Sequence, residues 1–226
     1  LLPFFLIVLV FLVLYIIWRI NARKYISSSS VASAYDAWTQ DKLLERLWGE
    51  HIHLGFYPSG NKNIDFREAK VQFVHELVKW SDLDKLPKGS RILDVGCGIG
   101  GSSRILAKYY GFNVTGITIS PAQVKRAREL TPSGLNCNFQ VMDALNLKFE
   151  DGAFDAVWSV EAGAHMNDKT RFADEMLRTL RPGGYLALAD WNSRDLKAYP
   201  PSFIERLVLK QLLEQWVHPN FISINE

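Results

Sequence analysis

A chain of 226 residues that is 48% hydrophobic and 22% charged can bury the core of one main domain, which excludes an intrinsically disordered protein. Its 26 Lys and Arg against 24 Asp and Glu leave a net charge of +2, and no segment gathers the dense basic clusters that a phosphate backbone demands, so nucleic acid is not an expected partner. Cys97 and Cys137 stand apart, without the paired spacing of a zinc site, a redox motif or a disulfide framework, and read as reduced, packed thiols.

Residues 1–18, LLPFFLIVLVFLVLYIIW, carry no charge. As a helix rising 1.5 Å per residue they would reach roughly 27 Å, close to the ~30 Å hydrocarbon layer of a bilayer. Tyr15 and Trp18 fall where interfacial aromatics belong, and Arg19, Arg23 and Lys24 follow at once. The positive-inside rule then puts the rest of a single-pass protein on the cytosolic, or plastid stromal, face. A cleaved signal peptide is the rival reading, with Ala32-Ser33-Ala34 as its small-residue site, but here the basic residues follow the apolar run instead of preceding it. The first residue is not Met, so an upstream start is expected.

Residues 19–34, ending in SSSSVASA, are small and polar and predict a flexible linker. A helical cap is expected over residues 35–81. There Trp38, Leu43, Leu44, Leu47 and Trp48 recur at helical spacing, and Ala69, Phe73, Leu77 and Trp80 repeat the pattern after the loop HIHLGFYPSGNKN. From residue 82 to 226 the texture changes to short β-branched runs, RILDV, NVTGITI, CNFQVM, FDAVWSV and YLALADW, separated by helical segments. That alternation predicts an α/β domain with a parallel sheet covered on both faces, its ligands bound beyond the carboxyl ends of the strands.

The turn after the first strand, DVGCGIGG, places Gly96, Gly98 and either Gly100 or Gly101 where the backbone must pass close to a ligand before a helix amino terminus. The spacing also satisfies G-x-G-x-x-G, a weak signal on its own. A dinucleotide site wants an acid about twenty residues on, at the tip of the second strand, and Thr118 stands there instead. Asp94 at the first strand's tip suits a cationic part of a ligand, and Asp143 beyond the third suits an exocyclic amine.

ILDVGCGIGG, FDAVWSV and LRPGGYLALAD resemble the three motifs of Rossmann-like S-adenosylmethionine-dependent methyltransferases, over roughly residues 83–192. GITISPAQVKRA, WGEHIHLGFY and SVEAGAHMNDK, with the apolar amino end, are similar to the γ-tocopherol methyltransferase family. The resemblance implies that Asp94, Gly96 and Gly98 hold the methionine end of S-adenosylmethionine, with Val95, Cys97 and Gly100 in the same turn. It sets Thr118, Ile119 and Gln123 beside the ribose and adenine, and Asp143 with Ala144 at the adenine edge. Thr118 departs from the acid that many of the broader class carry.

The same resemblance implies a membrane-anchored methyltransferase acting, without a metal, on a ring carbon of a prenylated hydroquinol of the 2-methyl-6-phytylbenzoquinol type, in tocopherol and plastoquinone biosynthesis. Carbon methylation of such a ring is helped by a base that removes a phenolic proton. Glu161 and His165 come first for that role, although Glu161 serves equally well as a cofactor ligand. His51 and His53 lie in a loop able to cover the site, His75 and His218 read as structural, and Asp190 and Trp191 read as acceptor-pocket lining or packing. Two alternatives remain open: the same core acting on another lipid or a small amine, and a catalytically inactive, membrane-tethered cofactor-binding protein. Enzymes of this class have seven strands and this chain shows five, so it reads as a piece of a longer protein whose carboxyl-terminal strands are missing.

Overall fold

The computed structural model describes residues 2–21, 24–58 and 63–225. Five parallel strands form one sheet in the order β3-β2-β1-β4-β5, with β1 at Arg91–Val95, β2 at Asn113–Thr118, β3 at Cys137–Val141, β4 at Phe154–Val160 and β5 at Leu180–Ala189. The order reverses at β1, the first strand made. The crevice outside the carboxyl ends of β1 and β4 is therefore where a doubly wound sheet opens to a ligand.

Helix α1 covers Leu2–Asn21, α2 Ser28–Gln40, α3 Leu43–Trp48 and α4 Phe66–Trp80. Helices α5 at Gly101–Tyr110, α6 at Pro121–Leu130 and α7 at Lys169–Thr179 cross between strands, and α8 at Phe203–Trp216 closes the described chain. One face of the sheet buries Ile92, Val114, Ala156 and Trp158 against Leu106 of α5 and Val74, Leu77 and Val78 of α4. The other face buries Leu93, Val95, Ile117 and Val157 against Phe172 and Met176 of α7. Helix α4, expected in a separate cap, is thus part of the main core. Its Trp80 is 76% exposed, because the inward stripe runs through Ala69, Val74 and Val78.

The linker expected over residues 19–34 is helical at both ends, within α1 as far as Asn21 and within α2 from Ser28. Serine hydroxyls turn back onto the chain here: Ser30 Oγ donates to Ser27 O at 2.7 Å and Ser33 Oγ to Ser29 O at 2.9 Å. Val31 and Ala34 bury against Val217, so tertiary packing overrides the weak helix propensity of the serine run. The chain breaks between α2 and α3 at Lys42, whose φ of 52° lies in the left-handed region.

Among the described residues no helix is long and apolar enough to cross a membrane, so the span expected over residues 1–18 is not shown. Helix α1 is nonetheless apolar along its described side chains, and Phe4 to Ile16 are all at least 45% exposed. The side chains of Trp18, Arg19 and Arg23, expected to mark the interface, lie outside the described residues.

Candidate active site

One cavity of about 250 Å³ sits on the carboxyl edge of β1, β2 and β4, under α2 and the loop at residues 49–58. The turn after β1 forms its floor. Gly96 and Gly98 both have positive φ, 79° and 55°, but for different reasons. A Cβ on Gly96 would sit 2.3 Å from the Ala162 Cβ, so that glycine is required by packing against the loop after β4. A Cβ on Gly98 would meet only Gln123 Nε2, at 3.9 Å, so its bare face opens to the cavity. Gly100, with φ 82°, is the residue that caps α5; its Cβ would meet Phe139 at 2.6 Å, and it does not line the cavity. Val95 does not line it either, since its side chain is fully buried beneath the sheet. Both belong to the support of the site and not to its surface.

Asp94 is 2% exposed and accepts from Ser103 Oγ at 2.5 Å. Burial raises its pKa to about 7 against the pull of Ser103, and among the described residues no cation pairs with it. A buried, unpaired carboxylate beside the open face of Gly98 fits a ligand that brings a positive charge. Thr118 Oγ1 donates to Gln123 Oε1 at 2.6 Å, which aims the Gln123 amide nitrogen toward the floor; Ile119 lines the same wall. Asp143 and Ala144 close that end, Asp143 Oδ1 accepting from Leu145 N at 2.9 Å. Cys97 lines the floor as a buried free thiol whose pKa burial pushes well up, so it is inert as a nucleophile.

The opposite wall follows β4. Glu161 adopts φ 53°, a strained conformation for a side chain with a Cβ, and its Oε1 accepts from Leu54 N at 3.0 Å. Burial raises its pKa, while hydrogen bonds from the Trp191 side chain and the Leu54 backbone pull it back. His165 sits in the short 3₁₀ turn Gly163–His165, with Nε2 2.8 Å from the Tyr35 hydroxyl, and stacks on His218 at 4.1 Å between ring centroids. Burial lowers its pKa to about 3, so it is a neutral ring. His218, expected to be structural, is therefore part of the wall, and the half-buried Tyr35 is an addition. The sequence offered no sign of Tyr35, because it comes from α2, 130 residues away along the chain.

His51 and His53 also line the cavity, whereas His75 bonds to Tyr110 on the far side of α4. Trp191 lines it; Asp190 stands behind, accepting from Ala164 N at 3.0 Å and Trp191 N at 2.8 Å, and so holds the turn that carries His165. Leu212 and Trp216 of α8 complete an apolar side. Among the described residues no group of three His, Cys, Asp or Glu side chains has the arrangement to hold a metal.

The loop with His51 is strapped to the floor. Arg104 donates to Ile99 O at 2.8 Å and to Glu50 at 2.6 Å, and Lys70 Nζ donates to Trp48 O and His51 O at 3.0 and 2.9 Å. Helix α2 is fixed across the cavity by Asp36, which accepts from Ser120 Oγ at 2.5 Å and Ala122 N at 3.1 Å at the amino end of α6. Tyr35, one residue earlier, reaches the other wall. The helix therefore spans the site between the Gln123 and His165 sides.

A parallel sheet in this order, a glycine turn with one face left open and an unpaired buried carboxylate at the first strand's tip define a nucleoside-cofactor site, and a methyltransferase domain family matches residues 93–188. The chain belongs to the S-adenosylmethionine-dependent methyltransferases, and S-adenosylmethionine is their methyl donor. It is 59% identical, over 92% of its length and 65% of the relative's, to the 2-methyl-6-phytyl-1,4-hydroquinone methyltransferase of Synechocystis sp.. It is 42% identical, over 69% of its length and 48% of the relative's, to the chloroplastic tocopherol O-methyltransferase of Arabidopsis thaliana. The chain thus spans about two thirds and half the length of these curated relatives. The crystal structure of the 4+2 cyclase SpnF superposes with a TM-score of 0.64 at 30% identity, over 74% of this chain and 61% of that one. A fold shared with a cyclase leaves the reaction to be argued from the site.

Proposed function

We propose that the chain carries the cofactor core and part of the acceptor pocket of a methyltransferase that moves a methyl group from S-adenosylmethionine to a ring carbon of a prenylated hydroquinol. The observation that carries this reading is the 59% identity to a relative named for 2-methyl-6-phytyl-1,4-hydroquinone. The site's chemistry supports it. Asp94 supplies a carboxylate for the cofactor's ammonium, Gly98 lets the backbone approach, and Gln123 and Asp143 supply polar contacts at the far end. The cofactor brings an electrophilic sulfonium methyl, so the protein's part is alignment, exclusion of water and removal of a proton.

Glu161 is the base in this proposal. Its raised pKa makes it a better proton acceptor than an exposed carboxylate, and Leu54 N and Trp191 hold it beside the cavity. His165, neutral and tied to Tyr35, shapes the pocket and accepts or donates a hydrogen bond without charge. Leu212, Trp216 and Trp191 offer an apolar surface to the ring and its tail.

Helix α1, whose apolar side chains from Phe4 to Ile16 are exposed, is proposed to seat in the membrane that holds the lipid substrate, with the cavity on its cytosolic or stromal side. Methylation of a small amine is the second reading, favoured by 35% identity, over 75% of this chain and 61% of the relative, to the norajmaline N-methyltransferase of Rauvolfia serpentina. Methyl transfer from labelled cofactor, measured against a panel of prenylated hydroquinols and amines, separates the two. Transfer to amines alone would overturn the hydroquinol proposal.

A further inference from the structure

His51 and His53 form a buried pair that the proposed reaction does not use. His51 Nδ1 lies 3.1 Å from His53 Nε2, and His53 Nδ1 lies 2.7 Å from Leu54 O. A carbonyl only accepts, so the proton of that second bond belongs to His53 Nδ1. In a neutral ring His53 Nε2 then carries a lone pair and no proton, and the first bond must be donated by His51 Nδ1. This leaves His51 Nε2 unprotonated, with no hydrogen-bond partner among the described residues. It is not sealed in the core: among the described residues the unpartnered, fully buried side-chain nitrogens and oxygens are Trp158 Nε1, His165 Nδ1, Gln215 Nε2 and His218 Nδ1. His51 lines the cavity near the glycine floor, where a Cβ on Gly101 would touch its Cε1 at 2.8 Å.

We infer that the His53–His51 pair is a relay whose backbone anchor, Leu54 O, fixes His51 Nε2 as an acceptor for an N–H or O–H donor on a bound ligand, making His51 a positioning residue of the site. The inference rests on the functional reading above, which supplies two donors of this chemistry: the cofactor's ammonium and the hydroquinol's hydroxyl. The charges around the pair favour a neutral ring. Lys70 of α4 donates to His51 O, and Arg104 of α5 lies near, itself paired with Glu50. Burial, the neighbouring His53 and these two cations lower His51 to about 3, and burial lowers His53 to about 4. The same loop donates Leu54 N to Glu161, so one segment sets both an acceptor and the proposed base.

The test is nitrogen NMR on the full, ¹⁵N-labelled chain. Both rings should report a proton on Nδ1 and none on Nε2 across neutral pH. A proton on His51 Nε2, or an imidazolium, would overturn the relay. S-adenosylhomocysteine, 5′-methylthioadenosine (which lacks the amino-acid end) and a prenylated hydroquinol are then added in turn. A His51 Nε2 signal that moves with S-adenosylhomocysteine but not with methylthioadenosine assigns the donor to the ammonium, whereas movement with the hydroquinol alone assigns it to the hydroxyl. Ligands that bind by calorimetry and leave the signal unmoved overturn the relay and leave the cofactor reading standing; no detectable S-adenosylhomocysteine binding overturns the cofactor reading itself. His51→Phe should weaken the assigned ligand by roughly ten-fold, with His51→Gln, whose amide oxygen accepts, restoring part of it.

Discussion

Gly96 and Gly98 are two residues apart and share a backbone region, yet only one faces empty space. Gly96→Ala should lower the melting temperature, because the new methyl overlaps the Ala162 Cβ and the loop behind Glu161 must shift. Gly98→Val meets no packed neighbour but is strained at φ 55°, so it should cost some stability too, and beyond that abolish measurable cofactor binding in the protein that remains folded, since its side chain occupies the ligand's path. Thermal melts alongside calorimetry separate the two; a Gly98→Val protein that binds normally contradicts the floor of the site.

Asp94 makes a prediction through its proton. With a pKa of about 7 in the fold against an ordinary carboxylate value when unfolded, the folded ligand-free protein holds more protons than the unfolded chain between about pH 4 and 7. Its contribution is therefore to lower stability as pH rises through that window, with the full penalty present above it. A bound ammonium would drive the proton off, so cofactor binding near pH 6.5 should release it, seen as a dependence of the calorimetric heat on the buffer's ionisation enthalpy. Asp94→Asn should remove that dependence. Glu161 titrates the other way for catalysis: its ionised form is the base, so the rate falls as pH drops through its raised pKa, and Glu161→Gln should lose that limb along with at least ~10²-fold in turnover.

Helix α2 explains where reading the sequence stopped. The alternation of five strands, the glycine turn and the tips at Asp94, Thr118 and Asp143 are local patterns, set by periodicity and by the backbone needs of a tight turn, and the sheet places them as expected. SSSSVASA has no such period; it becomes helical because Val31 and Ala34 find Val217 almost two hundred positions on, a contact no local window contains. Tyr35 and His218 reach the wall by the same long route. Asp36 offers a check on this bridge. Its carboxylate accepts two bonds at the start of α6, so Asp36→Ala should cost about 1 kcal/mol in denaturant titration and weaken cofactor binding by loosening α2 over Gln123. Unchanged stability and affinity would mean that α2 is not held across the site.

The molecule as a whole joins an exposed apolar helix to a cavity that holds the buried carboxylate of Asp94 together with the apolar side chains of Leu212 and Trp216. Removing α1 leaves Asp94, Gly98 and Glu161 in place, so the affinity for S-adenosylmethionine should be unchanged while turnover of a long-tailed hydroquinol in vesicles falls and that of a short-tailed analogue holds. Equal rates on the long-tailed substrate would assign α1 another purpose. The central claim is the chemistry itself, and ¹³C NMR of the product tests it directly. With cofactor labelled in its methyl group and a prenylated hydroquinol as acceptor, the label should appear as a methyl on a ring carbon, and its formation should depend on Glu161. A label found as a methoxy group, or no transfer to the hydroquinol at all, would contradict the account.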